Sequence, residues 1–168
     1  MVYAALLLAL GLVLPFLTGQ IPSIGSQLLP MHIPVLLTGF ICGWPYGLAV
    51  GFITPLLRSV LFGMPPLFPV AMAMAFELAT YGVLTGLIYS ALPKKPWSVF
   101  ASLVTAMIGG RLVWGSAMYF LLASRGGAFT QKAFLAGAFV NAIPGILVQL
   151  LLIPILVLTL ERAGFISK

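Results

Sequence analysis

Residues 68–92 read FPVAMAMAFELATYGVLTGLIYSAL, and Glu77 is the one charged side chain among them. A membrane-spanning helix uses roughly 20 apolar residues, so this run is expected to cross a bilayer and to take its carboxylate with it. Even on the most forgiving scale, a charge at mid-helix costs about 2.5–3.5 kcal/mol. Such a group is seldom present without a polar cavity or a partner. Arg58 and Arg111 stand in the same predicament, each inside another apolar stretch.

Apolar runs recur along the whole chain. They predict segments at residues 2–18, 32–43, 46–62, 68–92, 97–123 and 131–161, separated by Gly, Pro and Ser. Pro144 and Pro154 are expected to kink the over-long last segment. An alternative pattern merges the second and third segments into a hairpin that dips partway into the membrane. Residues 19–31, GQIPSIGSQLLPM, are too long for a tight turn and read as a lid. The expected fold is an all-α integral membrane protein, a bundle of about six transmembrane helices. Residues 1–168 are expected to form a single transmembrane domain.

Composition narrows the function. Of 168 residues, 62% are hydrophobic and 6% are charged, whereas soluble domains carry about 25% charged residues. The net charge of +6 is too thinly scattered for nucleic-acid binding and reads as a topology signal. With the amino terminus cytoplasmic, Lys94, Lys95, Arg162 and Lys168 fall inside, and Arg125 and Lys132 outside. Both termini are then cytoplasmic and the lid faces out. The first apolar run lacks a basic leader and a small-residue cleavage site, so it is expected to remain as a helix.

Counting depth at about 1.5 Å per residue brings Glu77, Arg111, Asn141, Arg58 and His32 into the outer half of the membrane. Gln149 and hydroxyl groups are left for the inner half. Tyr81 follows Glu77 by four residues and so shares its helix face. Trp114 follows Arg111 by three. These seven residues are the expected substrate-binding set: a polar pocket with aromatic walls, suited to a small ring or polar metabolite. Competing structural readings exist for the five charged or polar members. Arg58 could snorkel to headgroups, Glu77 and Arg111 could be a structural ion pair, Asn141 could serve carbonyls freed at Pro144, and His32 could be a loop residue.

Other chemistry lacks its residues. Cys42 is single, His32 has no second histidine, and no Gly-x-Ser-x-Gly elbow occurs, so zinc hydrolysis and serine catalysis are not expected. No cofactor is expected in this chain. Intramembrane carboxylates can relay protons, which leaves a stand-alone proton-coupled metabolite transporter as the alternative function.

Small residues suggest contact surfaces. Ala5 and Ala9 make a small-x-x-x-small pair on the first helix, and Gly39, Gly43, Gly47 and Gly51 keep a four-residue period through the second and third segments. This spacing permits close helix approach, which for the glycines predicts packing between those two segments.

The runs LPMHIPVLLTGFICG (29–43), GFITPLLRSVLFGMPP (51–66) and NAIPG (141–145), with the Ala5/Ala9 helix and the lid, resemble the substrate-binding S component of energy-coupling factor (ECF) vitamin transporters. The resemblance implies capture of a water-soluble vitamin or precursor from outside a bacterial plasma membrane. Pyridoxine or hydroxymethylpyrimidine types are favoured and pantothenate is next. It further implies docking through Ala5 and Ala9 onto a transmembrane coupling protein served by two ATPase subunits. No Gly-x-x-x-x-Gly-Lys-Ser/Thr loop is present, so the ATP would be hydrolysed by those partners.

Overall fold

The computed structural model describes residues 1–18, 27–93 and 95–166. Helix α1 (Val2–Val13) tightens into a 3-10 turn over Leu14–Thr18, where Pro15 has no N–H to continue the regular ladder. Helix α2 is His32–Cys42 and α3 is Trp44–Phe62. Between them lies Gly43 at φ +86°, a backbone conformation that costs glycine little. Pro45 falls in the first turn of α3, where a missing N–H is harmless. A wide turn at Leu67–Ala71, broken at extended Phe68, leads into α4 (Met72–Ala91). Helix α5 is Pro96–Ala123.

The last segment departs from the expectation. It begins as a short α6 (Gln131–Leu135), passes through a wide turn at Ala136–Val140, and restarts as α7 (Ile143–Arg162). Pro144 therefore opens a helix rather than kinking one, while Pro154 lies inside α7.

Four segments are long and apolar enough to cross a membrane: Trp44–Phe62, Leu67–Ala91, Pro96–Ala123 and Gln131–Arg162. Val2–Leu17 and His32–Cys42 are shorter apolar helices. Helix α2 rises only about 16 Å, half of a hydrocarbon core. Eight of its eleven residues are buried, because it sits inside the bundle against α1, α3, α4 and α7. A short helix is tolerated where protein rather than lipid surrounds it.

Helix α4 is the hub and packs on α2, α3 and α5. The glycine period explains the closeness, with a different partner from the one expected. A β-carbon on Gly47 would run into the backbone of Gly82, and one on Gly51 into the backbone of Leu78. The glycines of α3 thus face α4, and Gly39 of α2 likewise faces Gly82 and Thr85. Val35, Leu36, Leu78, Val99, Leu103, Ile153 and Val157 fill the core with no exposure. Large apolar side chains such as Val60, Phe100, Ile108, Phe120, Leu147 and Leu151 point outward instead. So much exposed apolar surface suits lipid, not water. The chain is an all-helical integral membrane bundle.

Candidate functional site

The buried charges meet at one carboxylate oxygen. Glu77 Oε1, on α4, is 2.9 Å from Arg111 Nη1 on α5 and 3.5 Å from His32 Nε2 at the start of α2. The Tyr81 hydroxyl, one turn further along α4, donates to the same oxygen at 3.0 Å. All four residues are at most 4% exposed. The Tyr81 ring also lies 5.4 Å from the His32 imidazole, centroid to centroid. Gly110, beside Arg111, allows this assembly, since any side chain there would meet the Tyr81 ring.

The cluster is only partly satisfied within the chain. Among the described residues, Arg111 Nε and Nη2 and both ring nitrogens of His32 make no hydrogen bond. The 3.5 Å approach of His32 to Glu77 is an electrostatic contact at the outer edge of hydrogen-bond length. Orphaned buried polar groups cost about 1–3 kcal/mol each, and native structures rarely leave several together without a reason. What the arrangement offers is a fork of N–H donors, an imidazole and an aromatic ring around a single anion.

Arg58 is buried too, but it sits elsewhere. Its guanidinium lies 4.8 Å from the Phe16 ring centre and 5.2 Å from that of Phe62, and Nη1 donates to the Leu12 carbonyl. Arg58 neither snorkels nor joins Glu77.

Trp114 and Asn141 also fall outside the quartet. Trp114 is half-buried among Phe129, Phe134 and Gly137, where it braces α5 against the last segment. Asn141 is exposed at the break between α6 and α7. The break resets the helical phase, so a residue counted inward along one continuous helix ends outward. Gln149 behaves oppositely. The same count puts it in the inner half among hydroxyls, yet it is fully buried and neither amide atom is hydrogen-bonded among the described residues.

Most of the expected lid, residues 19–26, lies outside the described residues. Its end is seated in the bundle: Leu29 and Met31 are buried, and a β-carbon on Gly145 would meet the backbone oxygen of Gln27 at 2.5 Å. Residues 27–31 therefore run over the start of α7 and directly into His32. Ala5 and Ala9 are exposed on the outer face of α1, with Leu6 and Val13 beside them.

The class of protein is thus a polytopic helical membrane bundle with a buried, incompletely paired charge centre. The particular family follows from comparison: the chain matches the ECF transporter, substrate-specific component, over residues 1–157 and belongs to that family. Neither the curated proteins nor the solved structures include a match to it. It is thus the membrane-embedded substrate-binding component of an ECF transporter, a transport subunit that associates with the energising module.

Proposed function

We propose that this chain captures a small water-soluble vitamin or precursor at the quartet of Glu77, Arg111, His32 and Tyr81. A hydroxylated pyridine or pyrimidine of the pyridoxine or hydroxymethylpyrimidine type is favoured, with pantothenate next. The observation that carries the reading is the convergence of three helices on Glu77 Oε1 while Arg111 and His32 keep nitrogens unpaired. A carboxylate beside a guanidinium suits a molecule with both donor and acceptor groups. Tyr81 supplies an aromatic edge.

On this reading both termini are cytoplasmic, and the site opens to the exterior of a bacterial plasma membrane on the side of residues 27–31. Ala5 and Ala9 meet the coupling protein, and two partner ATPases hydrolyse the ATP. The exposure of both alanines supports that assignment. The test is to purify the chain in detergent, denature it and identify the released small molecule by mass spectrometry. A vitamin-sized heterocycle or pantothenate at near-stoichiometric yield is the expected result. Absence of any such molecule, together with no binding of those compounds at micromolar concentration, would overturn the proposal. Uptake that survives collapse of the proton gradient and stops on ATP depletion excludes the proton-coupled alternative.

A further inference from the structure

Gln149 is fully buried, and its amide oxygen and nitrogen make no hydrogen bond among the described residues. A buried amide with no partner among the described residues is costly, and its neighbours along the same stripe of α7, Ile153 and Val157, are apolar and buried.

The register of the helices sets its height. The Tyr89 hydroxyl on α4 donates to the Glu161 carboxylate on α7, a side-chain link between the two helices near their ends. Glu77 stands twelve residues before Tyr89, and Gln149 stands twelve before Glu161. Both are therefore about 18 Å above that link. Arg111 lies fifteen residues beyond the start of α5 at Pro96, while Glu77 lies fourteen before the end of α4 at Ala91. The two ends are joined by a short turn, so Arg111 is level as well.

Direction follows from packing. Helix α7 rests on α2 and α5, the two helices that bring His32 and Arg111. One turn above Gln149, Gly145 lies beneath the backbone of Gln27 and Leu28. Gln149 is thus buried on the inward side of α7, level with the quartet and below the seated end of residues 27–31.

We infer that Gln149 is a fifth substrate-binding residue and the one that sets specificity. A carboxamide presents a donor and an acceptor side by side in one plane. Its complement is a planar edge with an acceptor beside a donor, as the ring nitrogen and amino group of an aminopyrimidine provide. Arg111, His32 and Glu77 then hold the polar substituents at the far side of the ring. The inference rests on the proposed vitamin-binding reading and narrows it.

Sites built to hydrogen-bond a polar group discriminate strongly against its loss. Binding of 4-amino-5-hydroxymethyl-2-methylpyrimidine, pyridoxine and pantothenate to the purified full chain is measured by calorimetry for wild type, Gln149→Leu, Gln149→Glu and Arg111→Ala. The aminopyrimidine should bind best. Gln149→Leu should weaken it at least tenfold while preserving the unfolding midpoint, and Gln149→Glu should change the order of preference among the three. Loss of binding in Arg111→Ala with full binding in Gln149→Leu overturns the inference and leaves the broader reading standing. If none of the three compounds binds wild type, the broader reading fails on substrate class and thiol access decides Gln149. In a Cys42→Ala background, Gln149→Cys should react with a small methanethiosulfonate added from outside. No reaction overturns the inference.

Discussion

Breaking the Arg111–Glu77 contact separates two roles the pair could have. The Nη1–Oε1 distance is 2.9 Å and both side chains are nearly inaccessible. Arg111→Met removes the cation and leaves a carboxylate in the core with only Tyr81 and His32 nearby. Removing one partner of a buried ion pair costs about 3–5 kcal/mol. Glu77→Gln should cost about as much, because it strands the guanidinium. Replacing both by neutral groups of similar volume is often close to neutral. The double variant should therefore recover most of the loss and be far less destabilised than the sum of the two single variants. Stability is read from reversible unfolding in mixed detergent–SDS micelles.

Binding should behave differently. Loss of a desolvated charged contact costs about 2–5 kcal/mol, so affinity for the co-purifying small molecule should fall at least about 30-fold in Arg111→Met. It should not return in the double variant. Stability restored without binding marks a site; recovery of both marks a structural pair. Additive single losses, or single losses below about 1 kcal/mol, would refute the reasoning from geometry.

Three further outcomes follow from other contacts. Gly82→Ala pushes a methyl group into the Gly47 backbone and should cost about 1–3 kcal/mol; an unchanged unfolding midpoint would contradict the close α3–α4 crossing. Arg58→Met strands the Leu12 carbonyl and should lose about 1–3 kcal/mol of stability while small-molecule affinity stays within twofold, and a larger change in calorimetry would return Arg58 to the binding set. Ala5→Trp combined with Ala9→Trp should leave ligand binding intact and abolish co-purification of the coupling protein, and retained co-purification would move the docking surface elsewhere.

The charge centre is legible in the sequence because a charge in an apolar run has few excuses: Glu77 and Arg111 can be paired from their placement alone, and Tyr81 comes with Glu77 by helical spacing. The rest depends on events a linear count does not register. The turn at Ala136–Val140 shifts the phase of the last segment, which turns Asn141 outward and leaves Gln149 as the inward amide. Arg58 is ambiguous because its partner, the Leu12 carbonyl, is 46 residues away in another element. The glycine period announces a close crossing but not its partner, since Gly82 belongs to a helix outside the repeat. The short α2 is visible as a short run, and its enclosure by four helices is not.

The oxygen shared by Arg111, His32 and Tyr81 has a mechanical consequence. Its neighbours arrive on α2, α4 and α5, so the atom acts as a knot tying three rods. Displacing the guanidinium from that oxygen would change the surroundings of the imidazole and the hydroxyl as well. A change at one atom would in this way bear on the packing of three helices, including α2, whose first residue follows directly on residues 27–31.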